Sequence, residues 1–243
     1  MYLKNISLER KEDADPREYP FSIPAVRSLT TLNFTSNVTF FVGENGSGKS
    51  TLLEAIAYQC GFNTAGGGRS NAYEVDASAS ALGRHLRLSW MPKVTNGFFL
   101  RAETFYNFAS HIDTLPGSLP YYGGRSLHAQ SHGEAFLSLF KHRFGGRAIY
   151  LLDEPEAALS PARQLALLRI IHDLEHDAQF IIATHSPILL GYPGAHICDF
   201  DAVPIRGIRY EDTLHYLLTR RFLDNRERVL QELFEDSEDD DSD

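Results

Sequence analysis

Val38-Thr39-Phe40-Phe41-Val42-Gly43-Glu44-Asn45-Gly46-Ser47-Gly48-Lys49-Ser50-Thr51 runs from an apolar segment through three glycines to a lysine and two hydroxyls. The β-branched and aromatic run 38–42 predicts a strand. Ser50 to Tyr58 sets Leu52, Leu53, Ile56 and Ala57 on one face and predicts a helix. Between them, Gly43, Gly46 and Gly48 let the backbone curl so that successive N–H groups point at one anion, and the new helix adds its positive N-terminal end. The string is a phosphate-binding loop, so the chain is expected to bind a nucleoside triphosphate. Gly43, Glu44, Asn45, Gly46, Ser47, Gly48, Lys49, Ser50 and Thr51 form the candidate ATP-binding set. Lys49 would reach the β- and γ-phosphates, and the Ser50 hydroxyl would hold Mg²⁺.

At 243 residues the chain fits one large α/β domain, with room for a small insertion. Its two cysteines, Cys60 and Cys198, lack metal-ligand spacing and suggest no disulfide framework, which fits a reducing cytoplasm. The N-terminus is too charged for a secretory signal, and no apolar run approaches the ~20 residues needed to cross a bilayer. No membrane insertion of its own is expected. Seven of the acids behind the net charge of −9 fall in Glu235–Asp243, so the remainder carries −2. That tail is expected to be disordered by self-repulsion, as a solubilising end or as a binding element. A near-neutral body neither demands nor excludes nucleic acid.

Residues 1–42 read as β-structure, with a polar loop from Lys11 to Pro20. The glycine-rich stretch 63–71 is a connector or a second loop near the nucleotide. A helical segment near Ala77–Leu82, a strand near Leu86–Trp90, a turn at Asn96-Gly97 and a short strand at Phe98–Ala102 follow. Residues 105–144 turn helical and loop-like. Ala148–Leu152 and Gln179–Ala183 are continuous apolar runs, as expected of parallel strands buried on both faces, and Pro161–His172 between them is an amphipathic helix capped by Ser160. Strands alternating with helices around a phosphate loop predict a mostly parallel sheet flanked by helices.

Leu151-Leu152-Asp153-Glu154-Pro155 sets two carboxylates at the carboxyl end of a buried strand, where open α/β sheets carry their ligand chemistry. Asp153 is a candidate Mg²⁺ ligand, and Glu154 a candidate catalytic base for the water that attacks the γ-phosphate. Ala183-Thr184-His185-Ser186-Pro187 follows the next strand, so His185 is a candidate contact to the γ-phosphate.

Together these strings resemble an ABC-type ATPase head domain, a P-loop NTPase. Gly43–Ser50 is similar to the Walker A motif, Ile149–Glu154 to Walker B, Ala157–Ser160 to the D-loop and His185 to the switch histidine. Gln130-Ser131-His132-Gly133-Glu134 resembles a degenerate form of the family's signature motif and opens a helix through Ala135, Phe136, Leu139 and Phe140. The resemblance spans about residues 20–200. It implies a domain over 1–234 with a helical subdomain at about 105–144, N-terminal antiparallel β-structure and an acidic tail at 235–243. It further implies ATP and Mg²⁺ as cofactors, hydrolysis catalysed by Glu154 and His185, and an ATP-dependent homodimer. In that dimer Ser131, Gly133 and Ser160 would touch the nucleotide held by the second copy.

The family's glutamine loop has no glutamine here. At its position stand Arg101-Ala102-Glu103-Thr104-Phe105, where Glu103 is the candidate substitute on Mg²⁺ or water, or a structural ion-pair partner. Tyr19 and Phe21 precede the loop at a distance suited to adenine stacking, or belong to the core. The divergent signature and missing glutamine are closer to soluble heads of the RecF, chromosome-maintenance and break-repair kind, with DNA or a protein effector as partner, than to transporter subunits. Both classes stay open. A nucleotide kinase with the same loop is disfavoured by the D-loop-like run and His185. Residues 105–144 lack the sustained a and d positions of a coiled-coil arm.

Overall fold

The apolar runs read from the sequence become neighbouring strands of one sheet. The computed structural model describes residues 1–11, 14–64, 77–102, 110, 132–143 and 145–235. Strands are β1 (Leu3–Leu8), β2 (Thr31–Asn33), β3 (Val38–Val42), β4 (Leu86–Trp90), β5 (Gly97–Arg101), β6 (Ala148–Asp153), β7 (Ala178–Ala183), β8 (His196–Asp199) and β9 (Arg206–Gly207). Helices are α1 (Pro24–Ser28), α2 (Lys49–Cys60), α3 (Ala77–His85), α4 (His132–Arg143), α5 (Pro161–Leu174), α6 (Pro187–Leu190), α7 (Leu214–Asp224) and α8 (Arg226–Glu235).

The main sheet has the order β5-β6-β7-β3-β8-β9, parallel throughout except for β9. Every residue of β3, β6 and β7 is buried, the polar Thr39, Asp153 and Gln179 included, as expected of largely apolar strands covered on both faces. One face packs Phe40, Tyr150, Phe180 and Ile182 against Phe136, Phe140, Leu167 and Ile171 of α4 and α5. The other packs Phe41, Phe99, Leu151 and Ile181 against Leu52, Leu53 and Ile56 of α2 and against a small antiparallel sheet, β2-β1-β4. Chain order differs from sheet order in one respect that matters: β7 lies between β3 and β6.

Gln179 joins the two sheets. It is fully buried; its Oε1 accepts the backbone N–H groups of Tyr2 (2.9 Å) and Leu3 (2.8 Å), and its Nε2 donates to the Leu3 carbonyl (3.0 Å). Gln179→Ala strands these β1 groups, at ~1–3 kcal/mol for each one left buried and unpaired. The expected result is a loss of about 3 kcal/mol in urea unfolding; a loss below about 1 kcal/mol would refute the bridging role.

Three expectations need correction. Residues 1–42 are not wholly β: α1 starts with Pro24 at its first position, where a proline costs no hydrogen bond, and buries Ala25 and Val26. Ser160 stands at the start of α5, but its side chain makes no cap bond; its carbonyl accepts the Gln164 N–H instead (2.9 Å). Asn96-Gly97 is not a free turn, because Gly97 opens β5. A Cβ there would lie 2.2 Å from the Ile149 carbonyl oxygen, an approach of strand to strand that only glycine permits. Helix α8 runs through Glu235, the first residue of the expected tail, and 236–243 lie outside the described residues. So do Glu103, Ser131, the 65–71 part of the glycine-rich stretch and most of the expected 105–144 insertion, of which Ser110 and α4 are described.

Neither α7 nor α8, which the sequence reading passed over, contains a buried residue. Leu214, Leu217, Leu218, Phe222 and Leu223 of α7 are exposed.

Candidate functional site

The carboxyl ends of β3, β6, β7 and β8 converge, and the segment leaving each one brings a different chemical group. After β3, Gly43, Gly46 and Gly48 adopt φ of 148°, 81° and 101°, the left-handed region where a Cβ is strained. A Cβ at Gly46 would meet nothing within 4 Å, whereas one at Gly48 would crowd Ile23 at 3.0 Å. The loop is thus open on one side and packed on the other. Lys49 is buried, and its ammonium donates to the carbonyls of Gly43 (2.7 Å) and Glu44 (2.9 Å). Burial lowers its pKa, while Glu154, Asp201, Asp153 and Glu44 oppose that shift.

Ser50, at the second position of α2, donates from Oγ to Asp153 Oδ1 at 2.8 Å. The bond crosses the sheet beneath the end of β7. Asp153 is 3 % exposed. Burial raises its pKa to about 6, against the opposing pull of Arg101 and the Ser50 hydrogen bond. Arg101, at the end of β5, places Nε 3.3 Å from Asp153 Oδ2 and pairs with Glu54 of α2 at 2.5 Å. One carboxylate oxygen of Asp153 therefore faces the arginine and the other the Ser50 hydroxyl.

Glu154 has φ 48° and ψ 51°, the left-handed conformation, and no other non-glycine residue among those described has positive φ. For an L residue this costs ~1–2 kcal/mol. Bonds on both sides hold it: its N–H donates to the Ala183 carbonyl (2.9 Å), and its carbonyl accepts from Ala157 (3.0 Å). The reversal turns its side chain, 45 % exposed, away from the buried strand end towards His185, whose Nε2 lies 3.7 Å from Glu154 Oε1.

His185 is fixed through its backbone and its ring. Its N–H donates to Glu156 Oε1 (2.6 Å), a carboxyl whose pKa is raised mainly by burial. Its Nδ1 lies 2.9 Å from His215 Nε2 on α7. The following turn is pinned by Ser186, which donates to Gln164 Oε1 (2.5 Å) and accepts from the backbone of Ile188 and Leu189 at the start of α6.

The site thus gathers the Lys49, Ser50, Asp153, Glu154 and His185 expected from sequence, together with groups the sequence did not flag. Asp201, after β8, accepts the Glu44 N–H on both oxygens (2.9 and 3.1 Å). The Glu44 N–H thus meets a carboxylate, since β8 lies beside β3 and the segment after it brings Asp201 to the loop. Asp201 also lies two residues beyond the end of β8, a signal of the same kind as that of His185. Arg101, Glu156 and His215 carried none. Tyr19 is 59 % exposed and its hydroxyl lies 3.2 Å from Thr51 Oγ1, whereas Phe21 is 5 % exposed and packs edge-on against His85 at 4.9 Å. Phe21 is thus a core residue, whereas Tyr19 stands exposed beside the first turn of α2. Cys60 and Cys198 are buried free thiols, and burial pushes Cys198 up to about 12.

Gly133, in the first turn of α4, is buried. A Cβ there would lie 2.5 Å from an Arg163 nitrogen and 3.0 Å from the Ala158 carbonyl. Its missing side chain thus answers a close approach within its own chain. Ser160 is exposed.

The donor set fits a magnesium nucleotide. Ser47 Oγ is buried without a hydrogen-bond partner, in a loop that carries a buried ammonium. Ser50 and Asp153 supply the hard oxygens that Mg²⁺ takes. Among the described residues no group of three or more His, Cys, Asp and Glu could cage a metal by itself. That suits an ion that completes its shell with phosphate and water.

This loop, followed by acids at the end of a strand two places away, has the layout of a P-loop nucleotide site. Two AAA-domain family models match, one over residues 21–87 and one, named for the AbiEii toxin of type IV TA systems, over residues 134–191. Curated relatives include the rat "ATP-binding cassette sub-family A member 7", 22 % identical over 67 % of this chain and 8 % of that protein, and the human "Phospholipid-transporting ATPase ABCA7", 23 % identical over 74 % and 9 %. The chain spans less than a tenth of the length of either. A solved structure of the SMC head bound to the C-winged helix domain of ScpA aligns at a TM-score of 0.50 and 13 % identity, over 86 % of this chain and 98 % of that one, a likeness of fold alone. The chain has the fold of a P-loop ATPase head domain.

Proposed function

We propose that the chain is an ATP-driven switch whose two copies close face to face on two ATP molecules and separate after hydrolysis, acting as a soluble cytoplasmic ATPase in DNA maintenance or defence. The observation that carries the engine is the 2.8 Å bond from Ser50 to Asp153, with Glu154 and His185 turned towards each other beside it. Residues 43–51 hold the phosphates, with Lys49 as cation and Tyr19 under the base. Ser50 and Asp153 hold Mg²⁺, with Glu103 as a further candidate; the ion supplies charge neutralisation at the phosphates. Glu154 orients and deprotonates the attacking water, and His185 donates a hydrogen bond to the γ-phosphate. Ser131, Gly133 and the exposed Ser160 complete the site of the second copy. Residues 1–234 act as one ATPase domain in this reading.

The fold likeness to the SMC head and the AbiEii-named match support the maintenance or defence reading. A second reading, the ATP-hydrolysing part of a transporter, is favoured by the name of the phospholipid-transporting relative. Among the described residues no helix is long and apolar enough to cross a membrane, so transport would need a spanning segment supplied from elsewhere. ATPase rates measured with and without double-stranded DNA, beside identification of co-purifying proteins, separate the two. Stimulation by DNA is the expected result; an unresponsive rate with a permease captured would overturn it.

A further inference from the structure

We propose that His215 is a positioning residue of the hydrolytic site: its Nε2–H donates to His185 Nδ1 and fixes His185 in the tautomer that carries its proton on Nε2, on the side of Glu154. This rests on the reading of His185 as a γ-phosphate contact and adds what makes that contact possible.

The geometry leaves two arrangements. His185 Nδ1 and His215 Nε2 stand 2.9 Å apart, with ring centroids 5.0 Å apart and planes tilted by 57°, so one nitrogen carries a hydrogen and the other a lone pair. Burial lowers the pKa of both imidazoles, Lys49 and the opposite ring lower His185 further, and each ring therefore holds a single proton near neutral pH. If His185 were the donor, its Nε2 would turn a lone pair towards the Glu154 carboxylate 3.7 Å away, and His215 would bury an N–H on Nδ1. That Nδ1 has no hydrogen-bond partner. His185 Nε2 is likewise buried without a hydrogen-bond partner, so either arrangement leaves one N–H unpaired within the protein; what separates them is the Glu154 carboxylate 3.7 Å from His185 Nε2, which favours a hydrogen rather than a lone pair on that nitrogen. If His215 is the donor, its orphan Nδ1 is a lone pair, and the Nε2–H of His185 faces the acid and the phosphate side. Only the second arrangement lets a neutral His185 donate to an anion.

The mounting of His215 is rigid for a residue on an otherwise exposed helix. Thr213, buried just before α7, donates from Oγ1 to the Tyr210 carbonyl (2.7 Å) and accepts the Tyr216 N–H (3.4 Å). Tyr210 in turn donates from its hydroxyl to the Pro187 carbonyl (3.0 Å), two residues beyond His185, and its ring packs against Tyr216 at 4.6 Å with the planes tilted by 53°. The turns that carry the two histidines are thus tied to each other, and the tautomer of one is set by an element about 30 residues further along the chain.

His215→Phe keeps a ring but no donor, and His215→Gln keeps an N–H that reaches the same nitrogen. The expected result is a fall of about 10²-fold in kcat for H215F with the KM for ATP within about threefold of the wild type, and recovery of most of that loss in H215Q. In ¹H–¹⁵N long-range spectra of the wild type, His185 should show a single Nε2–H tautomer that becomes a mixture in H215F. An unchanged kcat in H215F, equal impairment in H215Q, a rise in KM without loss of kcat, or an Nδ1–H tautomer in the wild type would each overturn the proposal; the last stands even if H215F does not fold. His185→Ala is the separate control: full activity there refutes the role of His185 itself, not the bond from His215.

Discussion

Glu154→Gln is expected to bind ATP, to hydrolyse it about 10³-fold more slowly than the wild type, and to run as a dimer only when ATP is present. The amide has the size of the carboxylate and can sit in the same left-handed backbone conformation, so nucleotide binding through Lys49 and the loop stays intact. What it lacks is a basic oxygen to take the proton from water. In the proposed cycle hydrolysis opens the dimer, so a variant that stops before hydrolysis accumulates closed. Nucleotide binding by fluorescence, phosphate release, and mass by light scattering on a sizing column measure the three parts. A monomer with ATP demonstrably bound would sink the face-to-face model and leave the ATPase assignment standing.

Lys49→Ala should remove binding itself. The ammonium holds the Gly43 and Glu44 carbonyls at 2.7 and 2.9 Å, so it both shapes the loop and supplies its cation. Replacing two charge-assisted hydrogen bonds to phosphate, each worth ~1.5–3 kcal/mol, by none predicts a drop in ATP affinity of at least about 10²-fold by calorimetry. The melting temperature should move little, because removing a half-compensated buried charge offsets the two lost loop bonds. An unchanged affinity would show that the loop binds phosphate through its backbone alone.

These experiments separate the two jobs done at the ends of the strands that flank β7. Lys49 and Ser50 belong to the segment after β3 and Asp153 and Glu154 to β6 and the turn that follows it, while β7 between them delivers His185 into the gap. Arg101 enters from the far side, on β5, and takes the Asp153 oxygen that Ser50 leaves. An arginine at this place balances a buried carboxylate where the family resemblance led to the expectation of a glutamine nearby.

Much of this was legible because it is local. Runs 38–42, 148–152 and 179–183 read as strands buried on both faces, since apart from Thr39 and Gln179 they hold only apolar or aromatic residues. The glycines at 43, 46 and 48 answer to backbone angles that depend on no distant contact. Asp153, Glu154 and His185 could be found because each lies at or just beyond the end of such a run. Helix α1 was missed since five residues are too few to show a period, and α7 and α8 because neither buries a residue.

The sequence by itself determined that a phosphate-binding loop, a carboxylate pair and a histidine occur at strand ends in the order of an ATPase head, because apolar runs, glycines and short motifs are encoded within a few residues. Tertiary structure alone decided that β7 passes between β3 and β6, that Asp201 occupies the Glu44 N–H, that Arg101 balances Asp153, and that His215 reaches His185. Each of these is a meeting of side chains or strand ends far apart in the chain. Sheet order and the burial that makes such contacts costly to leave unpaired set them, and neither is written in the spacing of residues along the chain.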